Sequence, residues 1–160
     1  SRKEYNTLEK EIESLQIYLE LQSLHNEKKF DFGIEISPTI ISDIVAIPPM
    51  LAQPFIENAI EHGLLHKNEK GVISIRFISK PNFILFEVED NGIGREKASE
   101  IKNTINKGHQ SLALTITKER LSILNRNSKE KIEFEIIDLF NNDGTAKGTK
   151  VVFNIPYIEF

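Results

Sequence analysis

The sequence predicts an α/β (α+β) two-layer sandwich: a mixed, mostly antiparallel sheet with helices on one face. Three observations predict it. Four or five stretches alternate apolar and polar residues with a period of two, the pattern of strands covered on one face only. Three longer stretches carry the helical period instead. A length of 160 residues without internal repeats suits one domain with a sizeable core.

Residues 2–26 read as an amphipathic helix, with Leu8, Ile12, Leu15 and Leu19 at spacings of four, three and four. The helix fits two roles: packing on its own domain, or ending an upstream dimerisation helix. KFDFGIEI (29–36) places Phe30, Phe32, Ile34 and Ile36 on one side of a strand, and Ser37-Pro38 ends it. Pro48-Pro49 is expected to open the next helix, because Pro is tolerated in a first turn, and that helix is expected to reach about Leu65. VISIRFIS follows Gly71 and puts Ile73, Ile75 and Phe77 on one face. Pro81-Asn82 turns the chain into FILFEVE, so the two strands form a hairpin.

Residues 91–111 hold Gly92, Gly94 and Gly108 and show little periodicity. They read as a long polar loop with one short helix near 95–105; such a loop in a compact domain is usually functional. Residues 112–126 are helical again, with Leu114, Leu121 and Leu124 apolar. KIEFEII directs Ile132, Phe134 and Ile136 inward. Asn141-Asn142-Asp143-Gly144 turns into GTKVVFNIP, where Thr149, Val151, Phe153 and Ile155 share a face.

Composition narrows the function. Hydrophobic residues are 39%, charged residues 28% and the formal net charge is −4, which speaks against nucleic acid as a partner. Without cysteine, disulfides, zinc thiolate sites and thiol nucleophiles are excluded. No apolar run approaches the roughly 18–20 residues needed to span a bilayer. No signal peptide opens the chain, and its abrupt polar start suggests a piece of a longer protein.

Two stretches carry chemistry. In QPFIENAIEHG (53–63), Phe55, Ile56, Ala59 and Ile60 fall on one helical arc, and Glu57, Asn58, Glu61 and His62 on the other. From periodicity alone a solvated face is the plainer reading. In VEDNGIG (88–94) a strand delivers Asp90 to its end and glycines follow, which let backbone approach a ligand closely. A carboxylate there can accept a hydrogen bond from an exocyclic amine; DNGIG is equally an ordinary turn. KGTKVVFNIP (147–156) adds a Gly-Thr entry to the last strand.

The order of these pieces is the informative part. A helix with E-N-x-x-x-H, a strand with D-x-G-x-G, a long loop and a Gly-Thr terminal strand resemble the Bergerat-fold (GHKL) ATP-binding domain of histidine kinases, gyrase and MutL. QIYLELQSLHNEKKFDFGIEI followed by IPPMLAQPFIENAIEHGL is similar, more narrowly, to the LytS-type sensor histidine kinases. SLALTITKERLSIL (111–124) matches their segment between lid and helix.

The resemblance implies ATP and Mg²⁺ as cofactors. It implies that Asn58 ligates Mg²⁺, that Glu57 and His62 serve catalysis near the phosphates, and that Asp90 accepts the adenine amino proton. Gly92, Ile93 and Gly94 would lie beside the base, with Thr149 helping to hold Asp90 and adenine. Residues 95–111 would form a lid, and Ser111 and Leu112 would contact nucleotide. Glu61 keeps the plain reading of a solvated charge. Residues 1–28 would be a lead-in helix from an upstream dimerisation and phosphoacceptor region, and 29–160 the ATP-binding domain.

The activity implied is transfer of the ATP γ-phosphoryl group to a histidine outside this chain, since His25, His66 and His109 lack a phosphoacceptor context. The implied partners are a response regulator of LytTR type and a second copy in a membrane-anchored homodimer, with this part in the cytoplasm. Two alternatives remain at this stage. One is a degenerate kinase acting as a nucleotide sensor, because Ala113 stands where relatives carry a lid glycine and Ile116 where many carry Asn. The other is a serine kinase of the anti-sigma-factor type.

Overall fold

The computed structural model describes residues 5–105, 118, 119, 121, 122, 126 and 132–160, without the side chains of 101–105. Strand β1 (Asn6–Thr7) leads into helix α1 (Leu8–His25). Thr7 caps that helix, its Oγ1 accepting from the Lys10 N–H at 3.4 Å. Leu8, Leu15 and Leu19 are buried in the main core, so the helix packs on the domain that follows it. Its other face leaves Ile17, Leu21 and Leu24 exposed.

Next come β2 (Phe30–Ile36), β3 (Val45–Ile47), α2 (Gln53–Leu64), β4 (Gly71–Ser79), β5 (Ile84–Asp90) and α3 (Arg95–Ile105). The chain closes with β6 (Phe134–Phe140), β7 (Ala146–Ile155) and β8 (Ile158–Glu159). Five strands make the main sheet in the order β2-β4-β5-β7-β6. Only β2 and β4 run parallel, and the other pairs are antiparallel. This is the two-layer α+β sandwich that the alternation predicts, with the mixed, mostly antiparallel sheet that the family resemblance implies.

One face of the sheet carries the core. Ile73, Ile75 and Phe77 of β4 alternate with half-buried or exposed neighbours, as do Ile84, Phe86 and Val88 of β5. Each such side chain contributes roughly 1.5–3 kcal/mol when fully buried. Phe55 docks α2 on the sheet, its ring centroid 5.2 Å from that of Phe134 and 5.1 Å from that of Phe153. Phe153 meets Phe86 at 4.7 Å, so aromatic contacts run from helix to central strand.

Two expectations need correction. Pro48-Pro49 does not start α2. A residue before proline is pushed toward extended backbone, and Val45–Ile47 accordingly form β3, which pairs with β1 and β8 in a small second sheet. Strands of two or three residues are too short to show a period, so this sheet was invisible in the sequence. The turn that follows places Met50 at φ 63°. Its N–H donates to Glu11 Oε2 at 3.3 Å, while Asn6 Nδ2 donates to Glu11 Oε1 at 3.0 Å, which is how a carboxylate on α1 is buried. Helix α2 begins at Gln53 with Pro54 in its first turn.

The second correction concerns α2 itself. It is α-helical over Gln53–Asn58 and π-helical over Ala59–Leu64. The Leu65 N–H reaches the Ile60 carbonyl at 3.0 Å, five residues back. Such widened turns are frequent at functional sites. The short helix expected near 95–105 is α3. The helix expected over 112–126 lies largely outside the described residues; within it, Leu121 is buried. No helix among the described residues is long and apolar enough to cross a membrane.

Candidate nucleotide site

A cavity of about 100 Å³ opens between α2 and the sheet, at the ends of β5 and β7. The register pairs Asp90 with Thr149, so the last residue of β5 and the Gly-Thr entry of β7 share the floor. Val88, Ile136 and Val151 add apolar wall from three strands. Asn58, Ala59, His62 and Gly63 of α2 form the opposite side, and Gly94, Arg95 and Ala98 of the α3 entry close a third.

Asp90 is only 5% exposed. Burial is the largest influence on its carboxyl and pushes its pKa from the usual 3.8 up to about 6. Backbone hydrogen bonds from Gly92 and Thr149 pull it down, the Glu89 charge pushes it up and Lys67 pulls it down. The Gly92 N–H reaches Oδ1 at 2.9 Å, closing a turn of the Asx kind. The loop behind is pinned from both sides: Lys67 Nζ donates to the Asn91 carbonyl at 2.8 Å, and the Val72 N–H donates to Asn91 Oδ1 at 2.7 Å.

Glycines are required here by contact. A Cβ on Gly92 would run into the backbone of Gly63. A Cβ on Gly148 would collide with the Asp90 carbonyl, and Gly148 has φ 149°. Gly94, at φ 86°, turns the chain into α3.

Of the residues singled out in the sequence, Asn58, His62, Asp90, Gly94 and Thr149 line this one cavity. Gly92 and Ile93 face an adjoining groove with Lys67, Lys97 and Lys147 instead. Glu57 is not among the lining residues; its Oε1 accepts from Gln53 Nε2 at 3.2 Å. Together with Glu61 it acts on Tyr18 of α1, whose hydroxyl is held above its ordinary pKa first by burial and then by these two charges. Glu61 is exposed, 3.9 Å from His62 Nε2. Ser111, Leu112, Ala113, Ile116 and His109 lie outside the described residues, as does the end of the expected lid beyond residue 105.

Sequence reasoning gave no role to Gly63 and placed Arg95 and Ala98 only within the expected lid. Arg95 is a two-point clamp: Nε donates to Asp138 Oδ1 at 2.7 Å and a terminal nitrogen to Oδ2 at 2.8 Å, tying the first residue of α3 to β6. Its place directly after the glycine turn was the available signal.

No protein-family model matches the chain. Among solved structures, the fold is that of histidine kinase catalytic domains. The nucleotide-free catalytic domain of ThkA matches with a TM-score of 0.63 and 17% identity, covering 95% of this chain and 93% of that one. The mycobacterial sensor histidine kinase MprB matches with a TM-score of 0.62 and 13% identity, covering 98% and 99%.

Curated sequences narrow the class. Sensor protein LytS of Oceanobacillus iheyensis is 29% identical over 157 residues, 94% of this chain and 25% of the relative. LytS of Streptococcus mutans is 27% identical over 161 residues, again covering 94% and 25%. The chain is thus similar in sequence to LytS-type sensor proteins and in fold to histidine kinase catalytic domains, the resemblance the motifs carried. The chain spans about a quarter of the length of these relatives.

Proposed function

We propose that this chain is the ATP-binding catalytic part of a two-component sensor histidine kinase, which transfers the γ-phosphoryl group to a histidine on an upstream domain. The observation that carries the reading is Asp90: a carboxylate at the floor of an apolar cavity, aimed where a purine amine would enter. Ionised, it accepts a hydrogen bond from the amine, while Val88, Ile136 and Val151 enclose the flat ring. The cavity is small, so the phosphates of ATP leave through the mouth beside Asn58, His62 and Arg95.

The residues at the mouth fit a nucleotide-borne magnesium ion. Among the described residues no group of three or more His, Asp or Glu could hold a metal alone. A single amide oxygen, that of Asn58, suits Mg²⁺, which keeps waters and phosphate oxygens as its other ligands. When bound, the ion supplies charge neutralisation at the phosphates. His62 adds positive charge when protonated, and Glu57, held by Gln53 beside the cavity rather than in its lining, would be the carboxylate that polarises the attacking group or a metal-bound water. Thr149 steadies Asp90 and the base. The protein's task is positioning and electrostatics, since phosphoryl transfer needs little covalent chemistry from it.

The LytS relationship supports a membrane-anchored homodimer with this part in the cytoplasm, and residues 1–28 as the connection to the upstream dimerisation and phosphoacceptor region. A response regulator is the partner of the related kinase ThkA, solved in complex with the response regulator TrrA; a LytTR-type regulator is proposed here. Ala113 favours a second reading, a degenerate kinase that senses nucleotide without transfer. Autophosphorylation of a longer chain carrying the upstream histidine decides between them. The kinase reading expects ³²P incorporation that Asn58→Ala reduces at least tenfold. Full labelling by Asn58→Ala would sink the Asn58 assignment, and ATP binding without labelling in the wild type would favour the sensor.

A further inference from the structure

Gly63 sits in the π-helical half of α2 and lines the cavity beside Asp90. The widened turn brings its Cα against the carboxylate. A Cβ added there would stand 2.9 Å from Asp90 Oδ1, closer than real Cβ atoms come, and 3.3 Å from Cγ. Oδ1 is the oxygen that accepts the Gly92 N–H. Any side chain at 63 therefore pushes on the atom that fixes the carboxylate's orientation. The same residue is locked in place: its carbonyl accepts the Ile93 N–H at 3.3 Å, and Gly92 leaves room for its backbone. Gly33 offers the contrast: it has no atom within 4 Å of its missing Cβ.

We propose that Gly63 is a positioning residue for base selection: the space left by its missing side chain keeps Asp90 in the orientation that distinguishes a 6-aminopurine from a 6-oxopurine. This rests on the nucleotide-binding reading above. In this proposal Oδ1 stays with the Gly92 N–H and Oδ2 meets the incoming base. An amine at position 6 donates to it; an oxo group brings two acceptors together and leaves both unpaired, which a site built for one hydrogen bond rejects strongly. Turning the carboxylate removes the attraction and the repulsion together. Selectivity then falls more than affinity.

The test compares ATP with inosine triphosphate by calorimetry at pH 7.5. Wild type is expected to favour ATP by on the order of 100-fold. Gly63→Ala is expected to weaken ATP about tenfold and to bring the ratio to within about threefold of one. Gly33→Ala is expected to keep the wild-type ratio. An unchanged ratio in Gly63→Ala overturns the proposal. If wild type binds neither nucleotide, the nucleotide-binding reading fails, and the Gly63–Asp90 contact is then judged by thermal melting. Gly63→Ala should lower Tm clearly in the wild-type background and much less beside Asp90→Ala, where the clash is gone. Equal losses in both backgrounds overturn it. A Gly63→Ala chain that does not fold should be rescued by Asp90→Ala, and failure of that rescue also overturns it.

Discussion

The closed end of the cavity and its open end are built by different physics. At the closed end, backbone does the work. Asp90 is buried, hydrogen bonds from Gly92 and Thr149 hold it, Gly63 lies against its carboxylate, and Gly148 lies against its backbone carbonyl. At the open end, side chains do the work. The His62 side chain is 34% exposed, and Arg95 is a half-exposed cation clamped to Asp138. A recognition group needs one fixed orientation, which contact with backbone supplies. Groups that meet a charged, solvated ligand need reach, and partial exposure supplies that at little cost in desolvation.

The difference implies a gradient of sensitivity to mutation, steepest at the closed end. Gly92→Ala should have the largest effect. Its new methyl has no free space, and the neighbour is Gly63 backbone rather than a yielding side chain. A loss of about 3 kcal/mol or more is expected in urea unfolding. A loss under about 1 kcal/mol would mean that the helix and loop are not interlocked.

Asp90→Asn should separate stability from function. The folded-state pKa is raised to about 6 from 3.8, so the protonated carboxyl is favoured by the fold. The resulting stability is fully present below pH 3.8 and lost as pH rises through 6. The ionised group therefore destabilises the neutral-pH protein, by about 3 kcal/mol on the size of the shift. The amide removes that charge and keeps an oxygen for Gly92. At pH 7.5 Asp90→Asn should raise unfolding stability by about 1–3 kcal/mol and abolish measurable ATP binding, and the stability gain should vanish near pH 4. A variant less stable than wild type at pH 7.5 would show that the carboxylate's hydrogen bonds outweigh its burial.

At the open end, Asp138→Asn should cost only about 0.5 kcal/mol, because half-exposed ion pairs are well solvated. The loss should shrink further in 1 M salt. A loss several times larger, insensitive to salt, would place Arg95 with the closed end rather than the open one.

Much of this contrast was legible in the sequence, for reasons that particular residues make plain. Strands β4 and β5 are long enough to repeat their alternation three or four times, and Asp90 ends one of them just before two glycines. The polar arc of α2 grouped Asn58 with His62, and the structure keeps both on one cavity. What escaped notice depends on long-range contact or on very short elements. Arg95 and Asp138 are 43 residues apart. Glu11 looks like a surface charge on α1 until Asn6 and Met50 cover it. Gly63 reads as the end of a helix, and nothing local reveals that Asp90 lies against it. The change from α to π turns within α2 has no periodic signature in so short a stretch.

The pairing of β5 with β7 has a consequence for the making of the protein. Asp90 and Thr149 meet across one rung of the sheet although 59 residues separate them in the chain. Strand β7 is the last of the five main strands to leave the ribosome and lies between two earlier ones, β5 and β6. The other four strands of the main sheet can be synthesised while the cavity still lacks its floor. Nascent chains short of residue 149 therefore cannot present the complete site, and the insertion of a late strand between earlier ones is a slow, non-local step. The cavity floor is therefore completed in one late step, when β7 takes its place between β5 and β6.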